Sequence, residues 1–190
     1  MTIDLLLIWP RHLDYPEWRK WLKEHRVKFA KIIVIFTNMS YNLPDLRNSV
    51  KAQMEKDNVI FDDNNPVSGN EDWRNVATNK ALKYSNSEWV FFTEQDFHPK
   101  EGFWEYMDKM LTQNKTFGAV VGTRLHPCCI FVPRKVLNQT SKNFSVIKDV
   151  ADHFSILQQE LPEFEAIPDY LYSHEGGLSQ KMTQELLKSQ

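Results

Sequence analysis

Short apolar runs alternate with amphipathic stretches along the first two thirds of the chain. Asp4–Trp9 (DLLLIW) predicts a strand buried on both faces. Lys31–Phe36 (KIIVIF) is a β-branched run of the same kind. Shorter runs at Asn58–Phe61 (NVIF), Glu88–Thr93 (EWVFFT) and Phe117–Val121 (FGAVV) predict three more strands. Between them the apolar period changes to that of a helix. Pro16 opens one helix, with Trp18, Trp21 and Leu22 on its apolar face. Leu43–Glu55 predicts a second. Asn70–Ser85 predicts a third, with Trp73, Val76, Ala77, Ala81 and Tyr84 on one side. Phe103, Trp104, Met107, Met110 and Leu111 mark a fourth. The last third is less regular: a strand at Cys128–Val132, a helix at Asp149–Glu160, an extended stretch at Phe164–Tyr172 and a polar helix at Ser179–Lys188. Strands alternating with helices predict an α/β fold, a mostly parallel central sheet covered on both faces.

Composition narrows the chemistry. The 190 residues carry 23 basic and 25 acidic side chains, a net charge of −2, which disfavours a nucleic-acid or anionic-membrane surface. With six glycines, none spaced as G-x-G-x-x-G or G-x-x-x-x-G-K-[ST], a dinucleotide loop and a Walker P-loop are excluded. There is no G-x-S-x-G, H-E-x-x-H or C-x-x-C. Cys128 and Cys129 are adjacent, a spacing that disfavours a disulfide. Met1–Pro10 lacks a basic leader, and no apolar run reaches the roughly 18 residues of a membrane span. A soluble, cytoplasmic protein with no integral membrane association is the expectation.

The most informative stretch is Glu88–Pro99, where an apolar strand runs into Glu94-Gln95-Asp96. On extended backbone, residues two apart share a side, so Glu94 and Asp96 converge while Gln95 points away. Just past the carboxyl end of a strand is where open α/β sheets bind ligands. Carboxylates there suit a hard divalent cation, Mn²⁺ or Mg²⁺, that shares its shell with substrate phosphates. Asp62 and Asp63 follow the third strand on the same side and are candidates for a nucleobase contact.

These residues sit in a pattern that resembles the nucleotide-sugar glycosyltransferases of GT-A fold, family 2 in particular. Ala77-Thr78-Asn79, the Ser85-Asn86-Ser87 turn, the Glu88–Phe92 strand and the Glu94-Gln95-Asp96 triplet follow that family's order, with sixteen positions from Thr78 to Glu94. Glu94 replaces the first Asp of its D-x-D triplet. Thr78 replaces an Arg, although Arg74 lies one helical turn earlier and could reach the same phosphates. Thr37-Asn38-Met39-Ser40 matches the D-N-x-S that ends the family's second strand, without its Asp. Pro10 and Arg11 stand where the first strand's end lines the nucleotide pocket. Toward the C-terminus, Pro168 precedes His174 by six residues, and Glu175-Gly176-Gly177-Leu178-Ser179 follows. Asp149 and Asp152 lie 22 to 25 residues before His174.

The resemblance implies a GT-A (Rossmann-like) three-layer α/β/α sandwich. Residues 1–123 would form a nucleotide-sugar-binding half and 124–190 an acceptor half. It implies a metal-dependent, inverting transfer of sugar from a UDP- or GDP-linked donor to a glycan or other hydroxyl acceptor. Asp96, Glu94 and His174 would hold the metal, and Asp149 or Asp152 would be the catalytic base. Asp152 is slightly favoured as nearer the first turn of the predicted helix. Pro10, Arg11, Asn38, Asp62, Arg74 and Glu94 would contact the nucleotide. So short an acceptor half leaves room for a partner domain or homo-oligomer. The departures at Glu94, Thr78 and after Phe36 equally suit an inactive module of the same fold that binds a glycan or protein. A sugar-phosphate nucleotidyltransferase is disfavoured, since no G-x-G-T-R loop follows Trp9. His98 and His126 are candidates to face the acceptor. His12, His25 and His153 are expected at the surface, Trp18, Trp21, Trp73 and Trp104 in the core, and Asn79 as a tie from helix to sheet.

Overall fold

The apolar runs assemble into a seven-stranded sheet. In chain order the elements are β1 (Ile3–Trp9), α1 (Tyr15–His25), β2 (Lys31–Phe36), α2 (residues 51–56), β3 (Ile60–Asp62), α3 (Trp73–Tyr84) and β4 (Trp89–Thr93). Then come β5 (Phe97–Pro99), α4 (Phe103–Gln113), β6 (Thr116–Val121), β7 (Arg124–Pro133), α5 (Arg134–Leu137), α6 (Ser155–Glu160), β8 (Phe164–Ala166) and β9 (Tyr172–His174). The structure is a computed structural model that describes residues 1–9, 15–36, 51–62, 73–94, 97–121, 123–145, 154–161 and 163–174. The predicted helix at Ser179–Lys188 and the first turns of that at Asp149–Glu160 lie outside them.

The strand order is β3-β2-β1-β4-β7-β6-β8. β3, β2, β1 and β4 run parallel. β7 is antiparallel to both neighbours, and β8 lies parallel to β6. A mostly parallel sheet is therefore present, with β7 alone reversed. That reversal matters for the site, because it brings the start of β7 to the carboxyl ends of β1 to β4. β7 and β8 come from the second half of the sequence but complete the same sheet.

Strict alternation along the strands divides the core in two. Leu5, Leu7, Ile32, Val34 and Phe91 face one side, packing with Trp21 and Leu22 of α1 and Phe103, Met107 and Met110 of α4. Leu6, Ile33, Ile35, Val90 and Phe92 face the other, with Ala77 and Ala81 of α3 and Phe144, Phe154 and Leu157. Across β4, β7 and β6 the rings of Phe91, Phe131 and Phe117 stack at centroid distances of 4.0 and 4.9 Å. Such cross-strand aromatic pairs add to burial in fixing register.

Several details depart from the expectations. Tyr84, placed by periodicity on the apolar face of α3, is exposed, and its hydroxyl donates to Asp62 Oδ2 at 2.6 Å. Asn79 ties α3 to the segment after α5 rather than to the sheet, donating to the Lys142 carbonyl at 3.1 Å. His25 is not a surface residue. It is half-buried between Trp21 and Trp104, and its Nδ1 accepts the Trp104 indole N–H at 2.9 Å. Burial pushes its pKa below the usual 6.5, helped by nearby Lys28 against the opposing Glu24.

One polar group is fully buried at the amino ends of the strands. Asp4 accepts from the Ser85 hydroxyl (2.8 Å), the Asn86 and Ser87 amides (2.8 and 2.9 Å) and the Ser87 hydroxyl (2.7 Å). The Arg134 guanidinium stands 4.0 Å from it and also binds the Ser85 hydroxyl and the Ser87 carbonyl. The small-residue turn before β4 is thus an anion cradle for Asp4, which explains serines flanking asparagine there.

Candidate functional site

The site lies where β4 ends and β7 begins. Thr93 pairs with Cys129, and its hydroxyl donates to the Cys128 carbonyl at 2.9 Å. Glu94 follows, the first residue past the strand. The Phe97 amide donates to the Glu94 carbonyl (3.3 Å), so β5 starts beside the end of β4. β5 forms a two-stranded antiparallel ribbon with β9, pairing Phe97 with His174 and Pro99 with Tyr172. Phe97 anchors that ribbon in the core, against Phe91, Phe103 and Tyr172. An apolar residue three positions after Glu94 thereby fixes the position of a histidine 77 residues further along the chain.

The consequence is a direct contact. His174 Nε2 lies 3.0 Å from Glu94 Oε2, with the two side chains 18% and 29% exposed. Both are reachable from solvent yet partly desolvated, which strengthens their electrostatics relative to open water. A second imidazole stands close by: the His126 and His174 ring centroids are 4.6 Å apart. His126 Nδ1 accepts the Cys128 amide at 3.2 Å. Among the described residues, His126, Cys128 and His174 bring one ligand atom each to within 4.8 Å of one another. Cys128 is buried; so is Cys129, whose thiol pKa burial pushes well up. Tyr172, on the flank of the cluster, also has its pKa pushed up, by burial first and then by its hydrogen bond to Asp169 (3.1 Å).

The expected site residues divide three ways. Glu94 and His174 are brought together. Asp62 sits at the carboxyl end of β3, with Lys80 Nζ 2.8 Å from Oδ1 and the Tyr84 hydroxyl on Oδ2. Arg74 belongs to the first turn of α3, but its side chain lies outside the described residues, as do Pro10, Arg11, Asn38, Asp63, Asp96, Asp149 and Asp152. Thr78, which stands where the resemblance has Arg, is fully buried. His98 is exposed on β5, while His126 belongs to the cluster.

Sequence reasoning missed Cys128 and the ligand character of His126. The signal was present as His126-Pro127-Cys128, an H-x-C in an apolar context. Starting the strand at Cys128 left His126 outside it, whereas β7 begins at Arg124.

No protein-family model and no curated protein matches the sequence. Solved structures do match. The mannosyltransferase PcManGT from Pyrobaculum calidifontis, solved in complex with GDP-Man and Mn²⁺, superposes with a TM-score of 0.59 at 15% identity, over 90% of this chain and 56% of that one. S. aureus TarS 1-349 gives 0.59 at 11% identity, over 98% of this chain and 64% of that one. The fold is therefore GT-A-like, the α/β architecture of glycosyltransferases. The chain spans about three fifths of the length of these two structures. Among the described residues no helix is long and apolar enough to cross a membrane.

Proposed function

We propose that the protein is a metal-dependent glycosyltransferase that moves a sugar from a nucleoside-diphosphate donor to an acceptor hydroxyl. One observation carries the reading. In a GT-A-like sheet, a carboxylate and an imidazole from distant segments meet at 3.0 Å beyond the carboxyl end of a central strand. The donor set fits a divalent cation. Glu94 supplies oxygen and His174 nitrogen, and Asp96 is the third candidate ligand. An imidazole in the shell favours Mn²⁺ over Mg²⁺, which prefers oxygen alone. When bound, the ion would neutralise charge growing on the departing diphosphate.

The chain's own residues supply the rest. Glu94 and His174, held by β4 and the β5–β9 ribbon, fix the diphosphate's place. Pro10, Arg11, Asn38 and Arg74 are the candidates to line the nucleotide, Arg11 and Arg74 by pairing with phosphate. Asp62 ends β3 on the same edge. Asp152 or Asp149 is the candidate base, accepting the acceptor hydroxyl's proton as its oxygen attacks the anomeric carbon. A single displacement of that kind inverts configuration. Residues 124–190 would supply the acceptor side, with a partner domain or second copy completing it.

Calorimetry with GDP or UDP tests the reading. Binding is expected with Mn²⁺ and to weaken at least about 100-fold in chelator, in Asp96→Ala and in Glu94→Ala, since metal contacts to charge are worth several kcal/mol. Equal nucleotide binding with and without metal overturns the metal role. No nucleotide binding at all favours the second reading, an inactive module of this fold. Thr78, buried at the position the resemblance gives to Arg, is the observation on that side.

A further inference from the structure

Glu94 and His174 do not exhaust the chemistry at this edge. His126 and Cys128 contribute to the same cluster, and neither belongs to the acidic triplet that drew attention to the site. The ligand atoms of His126, Cys128 and His174 all lie within 4.8 Å of one another. A tetrahedral ion bound at about 2.0–2.1 Å by nitrogen and about 2.3 Å by sulfur holds its ligand atoms roughly 3.3–3.8 Å apart. The three side chains thus stand about an ångström from closing on such an ion.

The backbone explains why they converge. β6 and β7 pair Gly118 with Ile130 but Val120 with Leu125, so the register shifts across residues 126–129. A shift of this kind re-aims side chains, and Pro127 within it offers no amide to the ladder. The Cys128 carbonyl is held at the same time by the Thr93 hydroxyl and the Glu94 amide. On the other side, β9 delivers His174 by its pairing with Phe97. The cluster is therefore set by three strands rather than by one mobile loop.

Two imidazoles and a thiol form a borderline-to-soft set, unlike the oxygen set that Mn²⁺ and Mg²⁺ prefer. In the tautomer that donates the His174 Nε2 proton to Glu94, Nδ1 is the unprotonated ring nitrogen. A carboxylate behind a ligating histidine is the usual device for fixing ring and tautomer. Ligation through His126 Nδ1 would replace its hydrogen bond from the Cys128 amide, whereas ligation through Nε2 would keep it; either way the Cys128 thiol proton passes to solvent as the metal–sulfur bond forms.

We propose that His126, Cys128 and His174 form a thiolate-containing site for a borderline transition-metal cation of the Zn²⁺ type, with Glu94 orienting His174. This site takes His126 and Cys128, which the proposed phosphate-bound cation does not use, and shares His174 with it. Zn²⁺ at the cluster withdraws His174 from the other shell and antagonises Mn²⁺-supported nucleotide binding. That last consequence rests on the proposed donor-site reading; occupation of the cluster does not.

The test uses the full chain, freed of metal and without nucleotide, titrated with Co²⁺ and then Zn²⁺. One equivalent of Co²⁺ should give the near-ultraviolet charge-transfer band of a cobalt–thiolate bond together with tetrahedral visible absorption. One equivalent of Zn²⁺ should bleach both. Cys128→Ser should abolish the charge-transfer band, and His126→Ala should weaken Co²⁺ binding at least tenfold. Cys129→Ser should keep the band. His126 is only half-buried, so its variant serves if Cys128→Ser fails to fold. Absence of the band in the wild type, its survival in Cys128→Ser, or unchanged affinity in His126→Ala overturns the site. A protein that shows the band but binds no nucleotide with Mn²⁺ retains this site and loses the transferase reading. The converse result does the opposite.

Discussion

Asp4 shows what a single residue contributes to this fold. It is fully buried and charged, within reach of Arg134, and four donors surround its carboxylate. Burial alone would raise its pKa. The donors from Ser87, Ser85 and Asn86 outweigh that and hold it below the ordinary 3.8. The stabilisation is therefore complete above pH 3.8 and is lost as pH falls through the depressed native value. Urea unfolding should show stability dropping with acid below about pH 4, by a slope that Asp4→Asn flattens. At neutral pH, Asp4→Ala should cost about 3 kcal/mol, because it leaves the Asn86 and Ser87 amides without their acceptor and the half-buried Arg134 without its counter-charge. A loss below about 0.5 kcal/mol would show that water replaces the carboxylate. Nothing in DLLLIW signals this role; an Asp leading an apolar strand looks like a solvated edge until the serines of a distant turn close around it. Glu94 is the contrary case. Its place just past an apolar strand was legible from the E-x-D spacing alone, whereas His174 was legible only through the resemblance.

At the scale of elements, the strands divide by how much local pattern they carry. β1, β2, β4 and β6 are continuous apolar runs and form within a residue or two of the predicted spans. β5 was invisible. Three residues with a histidine and a proline have no period, and the ribbon exists only because β9 pairs with it. β7 was found in its second half, since Pro127 breaks the pattern at the point where its register with β6 shifts. Gly118 makes that shift tolerable. A Cβ there would lie 2.4 Å from the Cys129 carbonyl oxygen, 2.9 Å from Leu125 Cδ2 and 3.2 Å from Ile130 Cα. Two of those neighbours are backbone and cannot swing away. Gly118→Ala should cost about 2–3 kcal/mol, read as a lower urea midpoint. It should also weaken Co²⁺ binding, since residues 126–129 would have to move. Unchanged stability would mean that the two strands part freely there.

For the whole molecule, the alternation of apolar strands with helices was enough to predict a mostly parallel sheet with helices on both faces. They did not supply the strand order or the reversal of β7, which depend on long-range pairing. The reversal places Cys128 beside Glu94, so β7 joins Glu94 and His174 at the edge where the sequence had placed only the acidic triplet and His174. If that edge takes a nucleoside diphosphate with Mn²⁺, ligand at about 100 times its Kd should stabilise the fold by about 2.7 kcal/mol. For a chain of this size the melting temperature should then rise by about 5–10 °C. GDP or UDP alone should give little of that shift, and a full shift in chelator would contradict it.

The cradle around Asp4 lies at the amino ends of β1 and β4, with Arg134 joining it from the tail of the reversed strand β7. The side chains proposed as cation ligands gather at the opposite end of the sheet, where β4 ends, β7 begins and the β5–β9 ribbon delivers His174. The molecule is clamped at its heel, and the proposed site lies at its toe. On the proposed reading, loops at that edge should tolerate exchange without loosening the clamp, because no hydrogen bond of the Asp4 cradle runs through them. That makes this chain a natural chassis for loop grafting, in which new acceptor-side segments are installed on an unaltered base.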